Sequence, residues 1–130
     1  MTDRREDFEI ILLDDSRVTT ALELPGYRIT ASLGVVRGLT VRSRSIIGNL
    51  LGVLQSLFGG DITIYTRLCE QARRQTYDDM MRQARQLGAN AIIAVRYDAT
   101  DLMSGLTEVL CYGTAVMVEA QNDAPGVTLR

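Results

Sequence analysis

The stretch "MMRQARQLGANAIIAVRYD" (residues 80–98) decides the fold of this chain, because a helix ends and a strand begins within it. Ala84 and Leu87 fit helical spacing, and Gly88 is the residue type that most often ends a helix. Residues 90–98 follow at once with apolar side chains on both faces, a pattern that indicates a strand in the middle of a sheet or a strand facing another copy. A helix that leads directly into such a strand predicts an α+β fold.

A long helix precedes Gly88, beginning at Asp61 or Thr63 and running to Leu87. Its polar face carries acid-before-base pairs four residues apart, Glu70–Arg74 and Asp78–Arg82, which support an exposed helix face. The residues predicted to face the core are Tyr65, Leu68, Cys69, Ala72, Thr76, Met80, Ala84 and Leu87.

Further towards the N-terminus, residues 27–42 alternate between apolar and polar side chains, which is the period of a half-buried strand. The apolar side chains occupy odd positions, so the odd row is predicted to face the core. Arg37 is the exception in that row and requires either a partner or a slip of the pleat. Gly34 and Gly38 indicate a bulge or a close approach of another backbone.

Between this strand and the long helix, residues 46–58 read as a short helix that is apolar on most sides. Such a helix offers more apolar surface than one small layer can bury, so we expect it to contact another copy of the chain. The predicted contact residues are Ile46, Ile47, Leu50, Leu51, Leu54 and Phe58.

After residue 97 the sequence predicts a loop over residues 98–106 and a last strand over residues 108–119. The predicted organisation is an N-terminal extension (1–18), a single domain (19–120) and a loose C-terminal tail (121–130). The expected fold class is therefore α+β, with a sheet packed on one long helix and a short apolar helix beside it.

Composition excludes several classes of chemistry. All 14 basic residues are arginine, and histidine is absent, so the commonest general base and the commonest metal ligand are missing. We predict no enzyme activity and no cofactor. The N-terminus lacks the apolar core of a signal peptide, so we expect a cytoplasmic protein. The net charge is -2, and no aromatic residue lies among the clustered arginines of residues 37–44, so the chain is not expected to bind nucleic acid.

The ordered segments LPGYRI, LGVVRGLTVRS, GGDITIYTRL, LGANAIIAVRYD and YGTAVMVE resemble the YbjQ-like family of small bacterial proteins over residues 19–119. The resemblance implies a dodecin-like β-α-β-β unit that assembles as a ring of five, or as two stacked rings. It also brings the family label "putative heavy-metal-binding domain". The function implied is that of an uncharacterised homo-oligomeric binding or scaffold protein.

The label directs attention to Cys69 and Cys111, because heavy metals prefer soft ligands such as thiolates. Both cysteines fit a packing role, Cys69 on the core stripe of the long helix and Cys111 in the last strand. If they bind metal, the site forms either within one chain or from one cysteine of each copy around a ring axis.

Arg37, Arg42 and Arg44 form a basic cluster in a stretch without acids. Arginine binds phosphate and carboxylate groups in a bidentate manner, so the alternative function is an anion-binding or small-molecule-binding ring. The simpler alternative is that these arginines pair with acids of the N-terminal stretch or of a neighbouring copy. A third hypothesis is a membrane-peripheral module that uses residues 46–58, although that helix lacks the charged face of interfacial helices.

Overall fold

The structure is a computed structural model, and it describes residues 10–43, 62–103 and 105–121. A 3₁₀ turn at Asp15–Arg17 is followed by strand β1 (Tyr27–Ser43), helix α1 (Ile62–Gln86), strand β2 (Ala91–Met103) and strand β3 (Leu106–Ala120). The strands form one antiparallel sheet in the order β1-β3-β2, and α1 packs mainly on β1 and β3. The predicted α+β class and β-α-β-β order are confirmed, and the predicted helix over residues 46–58 lies outside the described residues.

Helix α1 ends where the sequence predicts, at Gly88. Gly88 has a positive φ of 79°, and its N–H donates to the carbonyl of Arg85 at 3.0 Å. The N–H of Ala89 donates to the carbonyl of Ala84 at 3.1 Å. These two bonds form a Schellman motif, which satisfies the last carbonyls of the helix and turns the chain into β2.

The predicted core stripe of α1 is confirmed in its middle and is wrong at Cys69 and Leu87, while the side chains of Tyr65 and Leu68 lie outside what the structure describes. Ala72, Thr76, Met80 and Ala84 are buried, whereas Cys69 and Leu87 are exposed. Arg42, the penultimate residue of β1, already reaches Gln75 on α1. Cys69 lies six residues, or about 9 Å, further along the helix and therefore beyond that end of the sheet.

The row of β1 that packs on the helix is the even row. The register with β3 shifts twice, between Ile29 and Ala31 and between Ser32 and Gly34, where Gly34 has a φ of 112°. The two shifts cancel, so the odd residues at both ends of β1 lie opposite even residues of β3, on the face away from α1. Beyond the bulge, the even positions Val36, Gly38 and Thr40 face the helix. The prediction that the odd row faces the core is therefore wrong in this half of β1, whereas the predicted bulge is confirmed.

Gly38 also confirms the predicted close approach. A Cβ atom at this position would lie 1.8 Å from the carbonyl oxygen of Thr76. Next to this contact the buried hydroxyls of Thr40 and Thr76 are 2.9 Å apart, and Thr76 donates to the carbonyl of Ala72 at 2.8 Å. The backbone of α1 therefore rests directly on β1 at Gly38.

The predicted loop over residues 98–106 is wrong, because β2 extends to Met103 and β3 begins at Leu106. Gly105, with a φ of 87°, lies in the short connection. All residues from 96 to 103 are exposed. A strand without a buried face shows no apolar alternation, so its polar sequence resembles a loop.

The first half of β2 is covered on its outer edge by the segment that follows the 3₁₀ turn. The amides of Ala94 and Val95 donate to the carbonyls of Ala21 and Thr19 at 2.8 and 3.0 Å. Ala94 sits in a bulge with a φ of 55°. The strand predicted to be central or to face another copy is therefore flanked on both sides up to Val95 and forms the sheet edge from residue 96 onwards.

The core has two parts. One lies between the sheet and α1 and includes Val36, Met80 and Cys111, together with Leu13 from the predicted N-terminal extension. The other lies on the opposite side of the sheet, where Leu24 packs on Val116 and Val118. None of the helices in the described ranges combines the length and the apolar character that a membrane crossing requires.

Candidate functional site

An open cleft of about 530 Å³ lies where α1 leaves β2 uncovered. Its walls come from the 3₁₀ turn, from the polar face of α1 and from the exposed half of β2. The lining residues are Asp15, Glu70, Arg73, Arg74, Tyr77 and Tyr97. Two acids and two arginines balance one another, so the cleft suits a polar ligand with both donor and acceptor groups better than a simple anion.

The tyrosine in the wall of this cleft, Tyr77, is fixed as a hydrogen-bond donor. Its hydroxyl donates to Oδ1 of Asp15 at 2.9 Å, and the guanidinium carbon of Arg74 lies 5.9 Å from its ring centroid. Burial, followed by the bond to Asp15, raises the pKa of Tyr77 well above its ordinary value. At neutral pH this phenol is therefore protonated and unsuited to act as a base.

The sulfur atoms of Cys111 and Met80 lie close together, and Cys111 is the partner of Tyr97 on the neighbouring strand. Sγ of Cys111 is 3.6 Å from Sδ of Met80, and both side chains are buried. Burial raises the pKa of the Cys111 thiol, although the hydrogen bond from Tyr97 acts in the opposite direction. Burial, with a contribution from Cys111, raises the pKa of Tyr97 to about 12. The thiol is therefore neutral at pH 7 and a poor nucleophile.

The two cysteines predicted as metal ligands do not meet within one chain. Cys69 is exposed on α1, whereas Cys111 is buried against Met80. Met80 follows Cys69 by eleven residues, which is about 16 Å along a helix. In the described ranges no three His, Cys, Asp or Glu side chains cluster as a metal site would require. Within these ranges one chain thus offers a two-sulfur donor set and no multi-thiolate centre.

The predicted arginine cluster is also divided. Arg37 and Arg42 occupy odd and even positions of the same unbulged segment of β1, so their side chains leave opposite faces of the sheet. Arg42 donates to Oε1 of Gln75 at 2.7 Å, and Arg37 is exposed. Arg28, further along β1, pairs with Glu119 at 2.8 Å. Arg44 lies outside the described residues.

Exposed apolar side chains mark β1 as a second candidate surface. Val35, Leu39 and Val41 are 72%, 51% and 47% exposed, on the outer strand of the sheet. The predicted contact residues Ile46, Ile47, Leu50, Leu51, Leu54 and Phe58 lie outside the described residues. The odd apolar row of β1 was visible in the sequence, but it lies on the face of the sheet that α1 does not cover.

Sequence reasoning missed the cleft because its residues lie on three separate segments. The charged positions of α1 resemble an ordinary solvated face with internal ion pairs. The pairs observed in the described part of α1 are Arg74 with Asp78 at 3.8 Å and Arg82 with Asp79 at 3.1 Å, rather than the two predicted pairs. The residue that could have indicated the cleft is Tyr97, because it is aromatic and lies where the sequence of the strand changes from apolar to polar.

Comparison with known proteins shows relatives among bacterial proteins. Residues 17–119 match the family model described as "Putative heavy-metal-binding". The chain is 67% identical over 108 residues to a UPF0145 protein of Chromobacterium violaceum, covering 83% of this chain and 92% of that protein. It is 59% identical over 105 residues to a UPF0145 protein of Burkholderia thailandensis, covering 81% and 95%.

The fold has a counterpart among solved structures. A protein of unknown function of the DUF74 family from Pediococcus pentosaceus superposes with a TM-score of 0.50 at 20% identity, covering 78% of this chain and 96% of that one. At this identity the likeness concerns the fold alone. The family is set by the sequence matches: this chain belongs to the YbjQ-like family, whose relatives in Chromobacterium and Burkholderia carry the name UPF0145.

Proposed function

We propose that this protein is a homo-oligomeric binding or scaffold module whose copies form a ring of five or a pair of such rings. The observation that supports this proposal is the exposed apolar row on β1. Val35, Leu39 and Val41 lie side by side on one strand at the edge of the sheet, and in the described ranges no strand pairs with that edge. A long apolar edge strand is prone to pair with another chain unless it is covered.

The energetic reason is burial of apolar area together with pairing of backbone groups. Each of these three side chains gains roughly 25 cal/mol for every Å² that it removes from water. A second strand would in addition satisfy the outward-facing amides and carbonyls of β1. Self-association is therefore the simplest way to bury the apolar side chains of β1 and to pair its outward-facing backbone groups.

Light scattering coupled to size-exclusion chromatography tests this proposal. We expect the wild-type protein at micromolar concentration to have a mass of five or ten times 14.4 kDa. Leu39→Lys should shift the protein towards smaller species. Leu87→Lys is the matched control, since Leu87 is 47% exposed at the end of α1, and it should leave the mass unchanged. A wild-type mass of 14.4 kDa would overturn the proposal.

A second candidate function is binding of a soft metal ion by Cys111 and Met80. The observation that favours it is the 3.6 Å separation of their sulfur atoms, in a protein whose family carries a heavy-metal description. Thiolate and thioether ligands select ions such as Cu(I). Because burial raises the pKa of Cys111, binding has to displace the thiol proton, and affinity falls as the pH is lowered.

Calorimetric titration with Ag(I), a soft ion that is not redox-active in water, tests this candidate. Because the exposed thiol of Cys69 also binds Ag(I), the test is made in Cys69→Ser, which should still take up the ion. In that background Cys111→Ser and Met80→Leu should each abolish uptake. Equal uptake by Cys69→Ser and by Cys69→Ser/Cys111→Ser would reject the buried pair. Loss of all uptake in Cys69→Ser would instead assign the ion to the exposed thiol.

A further inference from the structure

We propose that β1 of one copy pairs with the exposed half of β2, residues 96–103, of the next copy, so that the sheet continues head to tail around the oligomer. This inference rests on the proposed self-association and names the two surfaces that meet. Each surface is the outer edge of the same three-stranded sheet.

In the described part of the chain no strand pairs with either edge. At Arg37 the side chain of Gln83 occupies the position of a partner strand, and it has to move aside when another copy pairs there. On β1 the even residues bond to β3, while the N–H of Arg37 points away from β3 and donates to Oε1 of Gln83 at 2.6 Å. On β2 the segment 18–21 covers the strand only as far as Val95. All eight residues from 96 to 103 are exposed, including Leu102 at 49% and Met103 at 66%.

The charges of the two edges are complementary. The half of β1 beyond Gly34 carries Arg37 and Arg42 and no acid. The exposed half of β2 carries Asp98 and Asp101, and its single base, Arg96, donates to the carbonyls of Thr20 and Val95. A basic edge and an acidic edge attract one another, and such complementarity directs which surfaces associate.

The same charges disfavour the two-fold alternatives. Pairing β1 with β1 would place arginines against arginines, and pairing the exposed half of β2 with itself would place aspartates against aspartates. Like charges across neighbouring strands are destabilising. A contact between two different edges is heterologous, and it generates a ring when the rotation between copies closes.

The side-chain faces agree with this pairing. Arg37 lies opposite Tyr112 and Asp98 lies opposite Leu110, so both project from the face of the sheet that α1 does not cover. Because β1 and β2 are both antiparallel to β3, a head-to-tail repeat makes the junction parallel. A register that places Arg37 against Asp98 of the next copy also places Val41 against Leu102, which matches apolar with apolar.

Charge reversal and exchange test the pairing by light scattering at low ionic strength. Arg37→Asp and Asp98→Arg should each weaken assembly by roughly tenfold or more, since like charges then meet at the junction. The double variant Arg37→Asp/Asp98→Arg exchanges the two charges and should restore assembly to within about threefold of wild type. Circular dichroism checks that the variants are folded, which we expect because both side chains are exposed.

The outcomes separate this inference from the proposed function. A monomeric wild type overturns both. An oligomeric wild type whose assembly survives each single reversal overturns the pairing alone, and so does a double variant that stays dissociated. Arg67→Asp makes the same charge change at an exposed position of α1 and should have no effect, and dissociation by this control would also overturn the pairing.

Discussion

At the scale of single residues, Gly38 and Thr76 determine how closely the helix lies on the sheet. The missing side chain of Gly38 lets the backbone of α1 rest on β1, and the hydroxyl pair of Thr40 and Thr76 satisfies the polar groups buried beside it. The sequence predicted the close approach at Gly38, because a glycine inside a strand is otherwise unfavourable. It did not predict that Thr40 would face the core, since threonine resembles a surface residue in an alternating pattern.

Replacing Gly38 by alanine should therefore destabilise the folded protein strongly. The new Cβ would lie 1.8 Å from the carbonyl oxygen of Thr76, a backbone atom that moves only if the helix moves. We expect the free energy of unfolding to fall by about 3 kcal/mol, at the upper end for overpacking. Denaturant titration measures the loss, with Ser32→Ala at an exposed position of the same strand as the control. A loss below about 1 kcal/mol would show that the contact is loose.

Because of Tyr97, the protein should lose stability as the pH becomes alkaline. Its folded pKa, about 12, is above the ordinary value of 10.0, chiefly because of burial. A group whose pKa is raised by folding stabilises the folded state fully below its unfolded pKa and loses that contribution as the pH rises towards the folded pKa. Stability should therefore decline between about pH 10 and pH 12.

The measurement is the denaturant midpoint at pH 9 and at pH 11, for the wild type and for Tyr97→Phe. We expect the phenylalanine variant to lose less stability between the two pH values. The pKa of Tyr77 is raised as well. The stability of a variant with phenylalanine at both positions should therefore depend even less on pH in this range. Equal losses in all three proteins would contradict the role assigned to these phenols.

At the scale of elements, the sequence predicts best where one face is buried. Helix α1 and its end at Gly88 have a clear pattern because the middle of the helix packs on the sheet. The second half of β2 has no such pattern, since all of its residues from 96 onwards are exposed. The covered face of β1 was mispredicted because alternation shows which residues share a face of the strand and does not show which of the two faces the helix covers.

The bulge in β2 leads to a paired prediction. Ala94 has a φ of 55°, a left-handed conformation that costs an L-residue about 1 kcal/mol and costs glycine nothing. Ala94→Gly should therefore be less destabilising than Ala99→Gly, in the same strand, by about 1 kcal/mol. Chemical unfolding of the two variants tests this difference. If Ala94→Gly costs as much as Ala99→Gly or more, Ala94 is not strained.

At the scale of the whole molecule, the described part of the chain forms a sheet whose two outer strands, β1 and β2, each leave an edge that no further strand pairs with along its whole length. Helix α1 covers one face of the sheet at Val36, Gly38 and Thr40, and Leu24 covers the opposite face at Val116 and Val118. The exposed stretches are residues 28–32 of β1 and residues 96–103 of β2. The sequence predicted a surplus of apolar surface and assigned it to residues 46–58, outside the described residues. Among the described residues the apolar surplus lies on β1. The cleft at Tyr97 was not predicted, because the fold brings three separate segments together there.

The most direct test of self-association through β1 is residue-resolved hydrogen exchange. The amides of Leu39 and Val41 alternate with the even residues that bond to β3, so they point to the open edge. We predict that these two amides are protected at high protein concentration and lose protection on dilution or in Arg37→Asp, while the amide of Val36 stays protected throughout. Rapid exchange of Leu39 and Val41 at every concentration would contradict the account.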